Sequence, residues 1–244
     1  FVWIGSNNPI NLESIGVQSS NVKHTWVVLL FIYSGIASLI PVWILLQPRD
    51  YINSHQLIVG LSLIFLSIFL IQPKIIAPAI TNLDKGPPII PFLFVTIACG
   101  AISGFHGLVS SGTTSKQVNK MKDARMIGYG ATLGEGSLAL AATIAAIAGI
   151  SFVNMQNEIC LPWACDFNNA KAGALNVFIN GSSGLLQQIG LPQGLATTLI
   201  VVLVVSFAAT TLDSATRIQR YIITEFGSAT KLKIFENKYL ATLI

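Results

Sequence analysis

Long uncharged apolar runs alternate with short polar stretches along this chain, and the length of each run sets what it can do. Trp26 to Leu46 is twenty-one residues without a charge, closed by Gln-Pro-Arg-Asp at 47–50. A hydrocarbon core of about 30 Å needs roughly 20 apolar residues in a helix, so this run predicts a first membrane span, 26–46, ending at a charged turn. Gln56 to Ile71 is apolar again and stops before Pro73, Lys74 and Pro78, predicting a short second span, 56–71, with snorkelling flanks. Four prolines and Asp84-Lys85-Gly86 within 72–88 exclude a continuing helix there.

From 89 to 115 the pattern changes inside one run. An apolar half, IIPFLFVTIAC, meets Gly100, Gly104, Gly107 and Gly112, four glycines in thirteen residues. Glycine weakens helix propagation where a bilayer offers no water to the backbone, so this third span, 89–115, is predicted to be discontinuous. A fourth span, 127–149, is dense in Ala and Gly with one carboxylate, Glu135; a fifth, 194–212, is nineteen uncharged residues. Between them 150–192 reads as a long loop with an amphipathic stretch near Ala174 to Ile189. The segment 213–238 is polar and partly helical by pattern, and 239–244 begins another apolar helix. Residues 1–25 form a polar leading segment. The fold class predicted is all-α, a polytopic transmembrane helix bundle. With no initiator Met and an apolar helix cut at its start, the chain reads as an internal part of a longer one, whose remainder is an expected partner.

Composition agrees: hydrophobic residues are 52%, charged residues 10%, and mean hydropathy is +0.68. Ordinary soluble domains carry about 25% charged residues, which excludes that class. A net charge of +4 does not point to nucleic acid, because the fourteen Lys and Arg sit in short clusters between apolar runs without interleaved aromatics. Their placement reads as topology. The segment 104–125 holds four basic residues, 150–192 holds one, Lys171, and 213–238 holds five. Cytoplasmic loops are enriched in Lys and Arg, so the first and third of these face the cytoplasm and 1–25 and 150–192 face outward. Cys160 and Cys165 then lie on the oxidising side, where at most one disulfide forms, and no nearby histidines suggest zinc.

Candidate chemistry is confined to a few positions. Glu135 stands between Gly134 and Gly136 in an otherwise uncharged run. Facing lipid, it would cost roughly 2.5 to 3.5 kcal/mol, so it should face the bundle interior, protonated or paired, as a proton or substrate site. The plainer reading is a structural carboxylate. His106, at the edge of the glycine-rich break, titrates near neutral pH when unperturbed and is a proton-exchanging candidate or simply a polar cap. The break itself offers backbone groups to a ligand, with Gly100, Ser103, Gly104, His106 and Gly107 lining the site. The competing reading is close helix packing, with Gly130-xxx-Gly134 as the partner face. At the end of span five, Ser206 and Thr210 share a helix face and offer oxygens for a coupling ion, a proton or sodium, beside Asp213. Asp213 with Arg217, four residues apart, reads as a helix-surface ion pair. No G-x-x-x-x-G-K-[ST], H-E-x-x-H or G-x-S-x-G occurs, so neither an ATP engine nor a hydrolase is recognisable, and no cofactor is expected.

Four strings, PVWILLQPRDYINS (41–54), PFLFVTIACGAISGFHGLVSSGTTSKQV (91–118), RMIGYGATLGEG (125–136) and SFAATTLDSATRIQRYIITEFG (206–227), resemble the carbon starvation protein A family. The resemblance covers nearly everything from Trp26 onward. It implies a multi-spanning bacterial inner-membrane protein, related in architecture to leucine-transporter-like folds by analogy. It also implies peptide uptake under carbon starvation, with pyruvate taken up with protons by close relatives. Symport across the lipid bilayer is therefore the expected function, and not an enzyme. A membrane nutrient sensor or subunit that binds without transporting is the alternative from another class.

Overall fold

The computed structural model describes residues 18, 21–78, 89–102, 104–153, 167–231, 235 and 237–243, and among them every regular element is helical. In chain order these are α1 (Val22–Leu39), α2 (Val42–Ile71), α3 (Ile89–Ile102) and α4 (Phe105–Val109), the last running into a π-helical turn, Ser110–Thr114. Then come α5 (Met121–Ile147), a 3-10 turn (Gly149–Phe152), α6 (Phe167–Gln188), α7 (Gln193–Thr230) and α8 (Leu240–Leu243). Among the described residues, five stretches are long and apolar enough to cross a membrane: Val22–Leu39, Val42–Ile71, Ile90–Thr114, Met121–Ile147 and Gln193–Thr230. The chain is an all-α polytopic membrane protein.

The first two helices divide differently from the expectation. The first helix stops at Leu39, and Ile40 is extended, with φ −73° and ψ 141°. Pro41 is the cause, because its ring crowds the preceding residue out of the helical region. Sixteen residues of straight helix would span about 24 Å, yet Arg49 Nη1 donates to Tyr33 Oη at 3.0 Å. The chain therefore reverses at Ile40-Pro41. The Gln-Pro-Arg-Asp stretch, expected as a charged turn, lies inside α2, which continues through Pro48. Arg49 and Asp50 are thereby carried on a helix, not in a loop.

The later elements also extend past their predicted ends. Within 150–192, α6 is a full helix of 22 residues. The polar segment after 212 continues as α7 up to Thr230. At 38 residues and 1.5 Å per residue, α7 exceeds the hydrocarbon thickness nearly twofold.

The chain divides into two compact units, one of residues 1–55 and 204–244, the other of 56–203. In the second unit, α6 lies against the end of α5 and the 3-10 turn through small residues. A Cβ built on Gly181 would stand 2.1 Å from the Ala145 carbonyl oxygen, and one on Gly149 would stand 2.5 Å from that of Gly181. Only glycine permits such backbone approach. Ala141, Ala145, Ala148, Leu185 and Leu186 are buried around this contact. Ser67 Oγ donates to the Leu185 carbonyl at 2.6 Å, tying α2 to it. Among the described residues, a Cβ at Gly130 or Gly134, the pair offered by the competing packing reading, or at Gly100 or Gly107, meets nothing within 4 Å.

In the first unit, α1, the start of α2, the C-terminal part of α7 and α8 surround buried Ser34, Ala37, Ser38, Leu46 and Ile218. Its interior is unusually polar, and that polarity positions the site described next.

Candidate functional site

Asp213, Arg217 and Arg220 are spaced i, i+4 and i+7 on α7, which puts them on one stripe of the helix. All three are buried, Asp213 completely, at 0% exposure. This corrects the surface ion pair expected of Asp213 and Arg217: each has a partner on another helix instead. Asp213 Oδ2 accepts a hydrogen bond from Arg49 Nη1 on α2, and the Tyr33 hydroxyl on α1 lies 3.4 Å from the same oxygen. Arg49 keeps only 20% of its side chain exposed.

Arg217 turns the other way and caps the reversal. Its Nη2 donates to the carbonyls of Ala37 at 2.9 Å and Ile40 at 2.7 Å. Those carbonyls close α1, where the last turn has no helical N–H to accept from. The break that Pro41 imposes is thus satisfied by a guanidinium more than 170 residues further along the chain.

The cluster is incompletely bonded. Among the described residues, Arg49 Nε and Nη2, Asp213 Oδ1 and Arg217 Nε are buried without partners, and so are the hydroxyls of Ser34 and Ser38. A buried polar group left unpaired costs about 1–3 kcal/mol, so several here are held at a thermodynamic loss. Further along α7, Thr210 Oγ1 donates back to the Phe207 carbonyl at 2.8 Å, and the Ser206 carbonyl accepts from Asn53 Nδ2 at 3.4 Å. Thr210 thus spends its proton within its own helix.

The second unit holds the other candidates. The discontinuity falls at Gly104, whose φ of +84° is left-handed and separates α3 from α4. Ser103 lies outside the described residues, as do Cys160 and Cys165. Beyond α4, the π-helical turn buries Thr113 with its hydroxyl unpartnered. Such turns recur at functional positions. His106 on α4 and Glu135 on α5 are brought together, Nδ1 to Oε2 at 3.8 Å, but the side chains stay 72% and 62% exposed in this chain. Glu135 thus has His106 beside it, on an open face of this chain and not within packed helices. Among the described residues, no three His, Cys, Asp or Glu group to hold a metal ion.

Arg49 and Tyr33 were not legible as site residues from the chain alone. They sit 164 and 180 positions from Asp213, and no local spacing rule reaches across that distance. The one available signal was the buried stripe, a carboxylate and two arginines at i, i+4 and i+7 directly after an apolar run.

The family model described as "Carbon starvation protein CstA" matches residues 3–161 and 163–244. A "Peptide transporter CstA" of Bacillus subtilis (strain 168) is 32% identical over 230 residues, 83% of this chain and 38% of the relative. A "Pyruvate/proton symporter BtsT" of Escherichia coli (strain K12) is 46% identical over 123 residues, 47% of this chain and 17% of the relative. A "Peptide transporter CstA" of the same strain is 40% identical over 133 residues, 52% of this chain and 19% of the relative. The chain thus spans well under half the length of these relatives. No solved structure matches.

Proposed function

The chain belongs to the carbon starvation protein CstA family, and from that premise we propose that it forms part of a secondary active transporter for peptide uptake, driven by protons, in a bacterial inner membrane. The observation that carries this reading is the peptide transporter aligned along 83% of the chain. The ionisable groups support it physically. Charged side chains in membrane-crossing helices are costly, and where they persist they mark substrate paths and proton relays. Two such sets occur among the described residues, Arg49 with Asp213, and His106 with Glu135. The coupling proton moves on Asp213, Glu135 or His106, with Ser206 and Thr210 beside Asp213. The backbone break at Gly100, Gly104 and Gly107 offers a ligand site. No enzymatic step is part of this reading.

A second reading, proton-coupled pyruvate uptake, is favoured by the symporter 46% identical over 123 residues. Counter-flow and gradient-driven uptake by the full-length protein in proteoliposomes, with di- and tripeptides and pyruvate, separates the two. Peptide accumulation that collapses when the proton gradient is removed is expected. Saturable binding without accumulation would make the protein a sensor and overturn transport.

A further inference from the structure

We propose that Arg49 binds the substrate's carboxylate and that Asp213, by taking up a proton, releases Arg49 to do so. This rests on the transport reading and assigns its substrate chemistry and its coupling to one pair of side chains.

The geometry is that of a half-used fork. A guanidinium presents parallel N–H groups suited to bidentate carboxylate binding. Here Arg49 gives Asp213 only Nη1, while Nη2 and Nε remain buried without partners. Asp213 uses Oδ2 and leaves Oδ1 equally unbonded. The pair neutralises charge but does not exhaust either group, so a second carboxylate has donors waiting.

Charge balance supplies the coupling. With Asp213 ionised, the pair is neutral. A proton arriving on Asp213 neutralises the carboxylate and leaves the buried Arg49 charge uncompensated, a costly state. A substrate carboxylate restores neutrality by pairing with Arg49. Proton and substrate therefore bind with positive, reciprocal coupling. The sum is one proton and one carboxylate entering together, with no net change of charge in the site.

A peptide with a free C-terminus and pyruvate, the substrate classes in the relatives' names, are both carboxylates. The same unit holds a cavity near the pair in sequence, although neither Arg49 nor Asp213 lines it. Thr216, one turn beyond Asp213 on α7, opens onto a cavity of about 550 Å³ that Ser34, Gly35, Gln219 and Thr242 also line. Small-ligand pockets run from about 300 to 1,000 Å³. The Ser34 hydroxyl is buried there and unpartnered. Other ionisable groups facing Asp213 are few. Tyr33 hydrogen-bonds it, Asp50 lies within electrostatic reach, and Arg217, one turn on, is committed to the α1 carbonyls.

The test is calorimetric binding to the purified full-length protein, in buffers of differing ionisation enthalpy, of pyruvate, Ala-Ala and the Ala-Ala amide. Wild type is expected to take up about one proton per pyruvate or Ala-Ala bound, with affinity falling up to about tenfold per pH unit once Asp213 is ionised in the free protein. The amide should bind at least about tenfold more weakly. Asp213→Asn should bind both carboxylates with no proton uptake, and Asp50→Asn should leave the proton count unchanged. The double variant Arg49→Gln/Asp213→Asn removes both charges at once, avoids an unpaired ion, and should lose carboxylate binding. The proposal is overturned if neither carboxylate binds, if acid and amide bind equally, if proton uptake survives Asp213→Asn, or if the double variant binds like wild type. Proton-linked binding without accumulation in proteoliposomes would overturn transport while supporting this assignment. Accumulation with equal binding of acid and amide would do the reverse.

Discussion

Among the described residues, two pairings of a carboxylate with a basic side chain occur, and they differ in nearly everything except their chemistry. Arg49 and Asp213 meet in the interior of one unit, bracketed by Tyr33 and Arg217, with Asp213 wholly buried. His106 and Glu135 meet on an open face of the other, on the two helices that follow the break at Gly104. In the interior, each ion depends on its partner, because desolvation penalises whichever is left alone. On the open face, both members stand on helices long and apolar enough to cross a membrane, and other helices of this chain leave most of each side chain uncovered. A switch that must register a single proton gains from the first arrangement, and an exchange point with the surroundings gains from the second.

The largest effect should follow from halving the buried pair. Arg49→Leu or Asp213→Leu alone is expected to destabilise the full-length protein by about 3–5 kcal/mol, whereas Arg49→Leu with Asp213→Leu should recover most of that loss. Denaturant unfolding in detergent measures it. Equal stability of the single and double variants would show that the two ions do not depend on each other.

Packing within the second unit gives a smaller, purely steric contrast. Gly181→Ala pushes a methyl against the Ala145 carbonyl and should cost about 1–3 kcal/mol, while Gly130→Ala, with open space around it, should be neutral or slightly stabilising. A Gly181→Ala protein with wild-type melting temperature would place the helix contact elsewhere.

Smaller still is the expected effect of Glu135→Gln on stability, because the side chain packs little against this chain and glutamine keeps its shape and hydrogen-bonding capacity. Its consequence should appear in transport. Gradient-driven accumulation is expected to fall less than in Asp213→Asn, with substrate exchange intact in both. A complete loss of accumulation in Glu135→Gln alone, with exchange preserved, would move the coupling proton to the open pair.

The least perturbing prediction concerns orientation. A cysteine at Lys120, exposed at the start of α5, should leave folding unchanged and react only with reagents that reach the cytoplasm. Labelling from outside alone would invert the topology implied by the four, one and five basic residues.

How much of this was legible follows from the range of each signal. Span-length apolar runs are local, so the membrane class, the discontinuity near Gly104 and the isolation of Glu135 could be read directly. Breakers were read less well, because Pro41 and Pro48 look alike in sequence. Pro41 ends a helix and Pro48 does not, and the difference lies in what satisfies the freed backbone groups. At the first break that partner is Arg217. Glycine was ambiguous for the same reason. Gly149 and Gly181 are required by a backbone contact, whereas Gly130 has space around it, and nothing in their local spacing separates the two cases.

The sequence by itself determined the solvent in which this chain folds. Runs of about twenty uncharged apolar residues have few stable alternatives to crossing a bilayer as helices, whatever they pack against. It also limited the ions that could function inside that solvent to a handful. Tertiary structure alone decided which ions meet. Asp213 could have paired with Arg217 one turn away, yet chain reversal at Pro41 delivers Arg49 to it, and Arg217 is drawn off to the carbonyls that the reversal exposes. Helical periodicity acts over a few residues, while a buried charge takes the partner that the packing of distant helices brings within reach.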